Sequence, residues 1–139
     1  FIVLKQAALR RLGVLARNLA EAAGPEVVDA DKASQQFETG QLAVVVVASP
    51  KPCDKFPQIE QTYSAGAVCL SLLNAALASG WGANWLSGWA SHNREFCTEG
   101  LALAPHEHVA GIVHIGTGPA QMPDRPRPDV AVITRWIHE

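Results

Sequence analysis

The sequence predicts an α/β or α+β sandwich, on three observations. Leu42-Ala43-Val44-Val45-Val46-Val47-Ala48 is apolar on both faces and rich in β-branched residues, as a covered central strand requires. Val109-Ala110-Gly111-Ile112-Val113-His114-Ile115 reads as a second such strand. Helix-period segments precede and separate them, and strands divided by helices give layered α/β or α+β architectures.

The elements follow in order. Phe1 to Leu4 read as a short strand. Ala7 to Ala23 read as an amphipathic helix, with Leu9, Leu12, Leu15, Ala16 and Leu19 on one stripe and Arg10, Arg11 and Arg17 on a solvated face. Gly24-Pro25 stops it. Asp31 to Thr39 is a polar connector, helical or looped. The strand Leu42–Ala48 ends at Ser49-Pro50-Lys51-Pro52. Ile59 to Ser79 read as a long helix, apolar or small nearly all round and therefore buried, with Gly80 as its C-terminal cap. Gly82 to Gly88 form a short strand or extended loop, and Asn93 to Leu101 a short helix. Gly116-Thr117-Gly118-Pro119 breaks the second central strand. A tail with Pro123, Pro126 and Pro128 leads to Val130–Ile137, a last strand or extended arm.

Composition narrows the function classes. The chain has 139 residues, enough for one domain with a real core. Hydrophobic residues make up 48% and charged residues 17%, a balance that favours a subunit with a large buried interface. A net charge of -2 gives no electrostatic case for nucleic acid. The most apolar run, Ala65 to Ala78, is interrupted by Ser71 and Asn74 and is too short to span a bilayer, so no membrane partner is expected. Cys53, Cys69 and Cys97 are odd in number and widely spaced, which fits a reducing, cytoplasmic compartment. Cys69 reads as a small packed hydrophobe. Phe1-Ile2-Val3-Leu4 begins without methionine and inside a strand, so an N-terminal portion is expected to precede it.

Chemistry concentrates in Gly80-Trp81-Gly82-Ala83-Asn84-Trp85-Leu86-Ser87-Gly88-Trp89, where small residues alternate with three of the four tryptophans. Glycine lets backbone approach a flat ligand. Tryptophan supplies a rigid apolar wall with one hydrogen-bond donor. The plainer reading is a tight turn into a buried strand with the tryptophans in the core.

Taken together, Lys55-Phe56-Pro57-Gln58-Ile59-Glu60-Gln61, Ser64-Ala65-Gly66-Ala67, Gly80 through Gly88, Val109 through Thr117 and Asp124-Arg125-Pro126-Arg127-Pro128 resemble the nitroreductase family of FMN-dependent oxidoreductases, in its minimal-scaffold branch. The resemblance covers essentially the whole chain. It implies an α+β three-layer sandwich, a mixed sheet flanked by helices, working as an intertwined homodimer with the flavin at the subunit interface. The helix from Ile59 to Ser79 would pack there, and the arm from Val130 would reach toward the partner. The domain 1–139 would be a single nitroreductase-like domain lacking its N-terminal segment. In the family that segment carries an Arg-Arg-Ser type motif for the FMN phosphate and a loop ending in Gln-Pro-Trp or similar.

The resemblance also implies the site. Trp85, Leu86 and Ser87 match positions that lie against the isoalloxazine ring. A backbone N–H or the Ser87 hydroxyl at the flavin edge would stabilise negative charge on the reduced ring. Some relatives carry a basic side chain where Leu86 stands. Arg125 and Arg127 resemble a pair that binds FMN phosphate, for which the guanidinium fork is suited; otherwise they are two solvated arginines in a proline-rich tail. The implied activity is ping-pong hydride transfer, in which NAD(P)H reduces FMN and a small-molecule electron acceptor, a nitroaromatic, quinone or similar, then binds over the same face. No side chain is expected to act as a catalytic base. The alternative is a non-catalytic flavin-binding or interaction protein on the same scaffold.

Other constellations carry less. His106 and His108 are spaced i, i+2 and diverge in an extended chain, so with His114 they make a poor metal site. His92 reads as a loop residue. No nucleophile elbow surrounds Ser64 or Ser87, and no base is evident near Cys97. Gly116-Thr117-Gly118 lacks the lysine of a P-loop, and Gly80-Trp81-Gly82 follows a helix where a dinucleotide fingerprint would follow a strand.

Overall fold

The computed structural model describes residues 1–118 and 124–138. Pro119 and Pro123, expected in the break after the second central strand and in the tail, lie outside them. Among the described residues the elements run β1 (Ile2–Lys5), α1 (Gln6–Ala23), α2 (Ala30–Glu38), β2 (Leu42–Ala48), α3 (Gln58–Ala78), β3 (Gly82–Leu86), α4 (Trp89–His92), a π-helical turn (Phe96–Gly100), β4 (His108–Gly116) and α5 (Val130–Ile133). The four strands form one sheet, ordered β1-β2-β4-β3.

The two strands expected to be central are the two inner strands. β2 pairs with β4 from Leu42↔Ile115 to Ala48↔His108, with one irregularity between Val46 and Val47. Every pairing among the described residues is antiparallel, where a mixed sheet was expected. The reason is topological. β2 and β3, joined through α3, run in the same direction, but β4 inserts between them and runs against both.

Each face of the sheet is covered by different helices. Ala43, Val45 and Ile112 point to one side and are fully buried against Leu9, Leu12 and Ala16 of α1, Phe37 of α2, and Phe96. Burying a side chain of this size contributes roughly 1.5–3 kcal/mol. The Phe37 and Phe96 rings meet at 5.2 Å in a tilted pair, which adds about 0.5–1.5 kcal/mol beyond area. α3 covers the other face and contacts β2, β3 and β4.

Several local expectations hold. α1 ends at Gly24, whose φ of 93° and N–H bond to the Ala20 carbonyl close the helix. α3 ends in a Schellman motif: Gly80, at φ +83°, donates to the Leu77 carbonyl, and Trp81 donates to the Ala76 carbonyl. Cys69 is buried.

The polar connector at 31–39, expected helical or looped, is the helix α2, capped by the Asp29 carboxylate on the Lys32 N–H and anchored by Phe37. Others need correction. Arg17 is no free surface charge. Its guanidinium bridges to Asp31, Ser34 and Glu38, fastening α1 to α2. That contact holds the Glu38 carboxyl below its ordinary range, through hydrogen bonds from Arg17 first and Ser34 second. The helix expected at 93–101 contains a π turn, where Gly100 meets Leu12 and leaves no room for a Cβ. His92 ends α4 and is not a loop residue. The last strand or arm is a single helical turn followed by extended chain, exposed throughout.

The largest departure is in α3. Expected to be buried nearly all round, it buries only Cys69 and Ala76 within this chain. Ile59, Tyr63, Leu70 and Leu77 are about half exposed or more.

His114 of β4 faces α2, where its Nε2 lies 3.4 Å from the Gln36 Oε1. Burial pushes its pKa down. The folded protein then binds fewer protons than the unfolded chain, whose histidines titrate near 6.5. Stability is present above that value and is lost as pH falls below it toward the folded pKa. His114→Gln removes this titration. Its thermal midpoint is expected to drop less between about pH 7.5 and about pH 5.5 than that of the unchanged protein; equal drops would contradict the assignment.

Candidate functional site

Among the described residues β3 is an edge strand, paired with β4 on one side only. Its register sets Trp85 opposite Val113 and Leu86 opposite Ile112. Directly paired residues share a face of the sheet, so Trp85 lies on the α3 side and Leu86 on the α1–α2 side. The Trp85 indole lies across the bare backbone of Gly111. A Cβ there would fall inside contact distance of the indole Nε1. Gly111 thus makes the cradle and Trp85 fills it, a reason for a glycine within a central strand. Trp85 remains 38% exposed. The chain past β3 exposes Ser87.

None of the three tryptophans of this segment is in the core. Trp81 is exposed, Trp85 partly so, and Trp89 packs half-buried on the edge of the α1 core. The Leu86 side chain lines a cavity of about 420 Å³ with Gln36 and His114. Toward a ligand on the Trp85 side it could offer only backbone. Arg125 and Arg127 lie in the exposed tail, with Arg127 3.9 Å from Asp124. No hydrogen bond or ion pair among the described residues joins them to the Trp85–Ser87 segment.

A larger cleft, about 690 Å³, opens on the α3 face. It runs between the first half of α3 and the end of β2, lined by Val46, Phe56, Gln61, Ala65 and Val68 among others. Val46 is the register partner of Gly111, so the cleft floor adjoins the strand segment that Trp85 covers. Sequence reasoning did not find this cleft. Its one local signal was Ser49-Pro50-Lys51-Pro52, a break that leads the chain away from β2 and over the sheet end.

Other chemistry is quiet. Burial pushes the Cys69 and Cys97 thiols up, which keeps them protonated at neutral pH. Cys53 is exposed, and all three cysteines are free. The Ser49 hydroxyl lies 3.2 Å from the His106 Nε2. Glu107, the adjacent carboxylate, accepts from the Ala104 N–H, which lowers its pKa first among several contacts. It does not orient the His106 ring, so the three do not form a relay. Among the described residues no three His, Cys, Asp or Glu side chains converge on a metal position. No helix of the described residues is long and apolar enough to cross a membrane.

A flavin needs a flat apolar face, donors along one polar edge, and cations for its phosphate. The glycine-seated indole, the β3 edge with Ser87 beyond it, and the two exposed arginines have that chemistry one by one, with no described contact that brings the arginines to the indole.

No family model matches the chain. Among curated proteins it is 29% identical, over 117 residues, to YdjA of Escherichia coli (strain K12), named as a presumed NAD(P)H nitroreductase. The match covers 84% of this chain, which spans 63% of the length of that relative. Among solved structures, a nitroreductase-like family protein from Bacillus cereus superimposes with a TM-score of 0.73 at 20% identity, covering 98% of this chain and 71% of that one. A presumed nitroreductase from Desulfovibrio desulfuricans, solved in complex with FMN, gives a TM-score of 0.67 at 19% identity, covering 96% and 68%. The chain has the nitroreductase-like fold of these solved structures.

Proposed function

We propose that this chain acts as an FMN-dependent oxidoreductase that uses NAD(P)H to reduce a nitroaromatic, quinone or similar acceptor. The observation that carries the reading is Trp85 seated on Gly111 at the unpaired edge of β3, on the same face as the large cleft. Its support beyond this chain is the named activity of the E. coli relative and the FMN held by the D. desulfuricans structure. FMN, when bound, supplies hydride transfer between the nicotinamide and the acceptor. The side chains have placement roles. Trp85 walls the ring and excludes water from one side. The β3 backbone at Leu86 and the Ser87 hydroxyl donate to its polar edge. Arg125 and Arg127 offer paired donors to its phosphate. No side chain here is assigned a proton-transfer step. The free cysteines fit a cytoplasmic setting.

The test is the visible spectrum of the purified protein after FMN addition and desalting. Retained flavin bands that bleach with NADH or NADPH under anaerobic conditions, and that are lost from an Arg125→Ala, Arg127→Ala double variant, are the expected result. A protein that retains no flavin, or flavin that neither nicotinamide bleaches, overturns the reading.

The working unit in this proposal is a homodimer. The exposed apolar residues of α3, with nothing within 4 Å of the position a Gly66 Cβ would take, leave a helix face open to close approach. The arm beyond it exposes Val130, Val132, Ile133, Trp136 and Ile137, each 66% bare or more. A second copy of the chain would cover both. Sedimentation is expected to give the mass of two chains, shifted toward one by Leu70→Glu; a monomer at micromolar concentration contradicts it.

A further inference from the structure

The large cleft has one wall that the fold itself barely holds. Lys51 through Phe56 is irregular, exposed chain between β2 and α3. Lys51, Cys53 and Phe56 from this loop line the cleft, opposite Val46, Ala65 and Val68. A single side chain ties the loop to the helix. The Gln61 Oε1 accepts from the Lys51 N–H at 2.9 Å, and its Nε2 donates to the Lys51 carbonyl at 2.9 Å and the Phe56 carbonyl at 3.0 Å. Both ends of the loop are therefore pinned to one amide, which uses three of its four hydrogen-bonding positions. No other hydrogen bond among the described residues ties Lys51–Phe56 to the rest of the chain. Pro50, Pro52 and Pro57 stiffen the backbone of the loop and its flanks, but a stiff segment on free ends still swings.

Gln61 is itself half-buried on the first turns of α3, a rigid base for the clamp. The amide fits this task as neither a carboxylate nor an aliphatic chain would. A carboxylate would face two carbonyl oxygens, and an aliphatic side chain would leave three backbone groups to water.

We propose that Gln61 is a positioning residue, which fixes the Lys51–Phe56 wall and so sets how closely the cleft grips its acceptor and how large an acceptor it admits. The inference rests on the oxidoreductase reading above and takes the cleft, whose floor adjoins the strand segment under Trp85, as the place where the acceptor binds. Small planar acceptors depend on the wall standing close, because their binding comes from contact on both sides. Larger fused-ring acceptors depend on it less.

The experiment uses the full-length, flavin-loaded protein and its Gln61→Leu and Gln61→Glu variants. Two quantities are read: steady-state kinetics with a one-ring and a three-ring quinone, and the rate of native-state trypsin cleavage after Lys55. Both variants are expected to raise KM for the one-ring quinone roughly tenfold, with kcat changed by less than about twofold. KM for the three-ring quinone moves less, and cleavage after Lys55 accelerates. Unchanged KM in an active protein overturns the proposal alone, whether or not cleavage accelerates; faster cleavage then marks a purely structural clamp. A fall in kcat with KM constant overturns it as well. Absence of any quinone-dependent NAD(P)H oxidation in the unsubstituted protein is a different failure. It removes the oxidoreductase reading, and the proposal falls with it.

Discussion

The antiparallel pairing of β2 with β4 is the constraint on which the rest depends. It joins the two strands that are apolar on both faces, so the sheet must be covered twice. One cover, α1 with α2 and the π turn, comes from this chain and closes tightly: Leu9, Leu12, Phe37 and Phe96 are fully buried. The other, α3, reaches β2, β3 and β4 but leaves its own outer face bare. The same pairing sets Gly111 beside Val46, and thereby fixes both the Trp85 seat and the neighbouring cleft floor. A one-residue slip in this register would turn Gly111 to the opposite face and abolish the seat.

The features legible in the sequence are those whose signal is local. A β-branched run covered on both sides announced β2, and a 3.6-residue stripe announced α1. A glycine after a long apolar segment announced the end of α3. What was not legible depends on residues distant in the chain. α2 shows one large apolar residue, Phe37, and its partner Phe96 lies 59 positions away. Arg17 looked solvated because Asp31, Ser34 and Glu38 reach it only when α1 and α2 fold together. The insertion of β4 between β2 and β3 makes the sheet antiparallel, and hydrophobic pattern carries no information on strand order.

The site divides along the same line. The Gly-Trp segment marked itself by composition, and its central tryptophan lies part-exposed across Gly111, next to the strand segment that floors the cleft. Its seat was hidden, although a lone glycine in the run Val109–Ile115 is the kind of break that signals close approach. The alternation of β3 was also unread. It sends the Leu86 side chain to the opposite face from Trp85, so on the Trp85 side Leu86 offers only backbone. Arg125 and Arg127 sit on exposed chain beyond β4, and their likeness to a phosphate grip is chemical rather than geometric. α3 shows the limit of the same signal. An all-round apolar helix reads as buried, but within this chain only Cys69 and Ala76 of α3 are buried.

The account turns on Trp85 seated against a glycine to give a flat wall at the edge of β3. The most direct measurement is FMN retention by Gly111→Ala, with far-UV circular dichroism as a check on the fold. The added methyl displaces the indole while leaving the β2–β4 ladder able to form. The account predicts an unchanged far-UV spectrum, altered tryptophan emission and flavin that washes out on desalting. A variant that keeps its fold and retains FMN as tightly as the unsubstituted protein would contradict it.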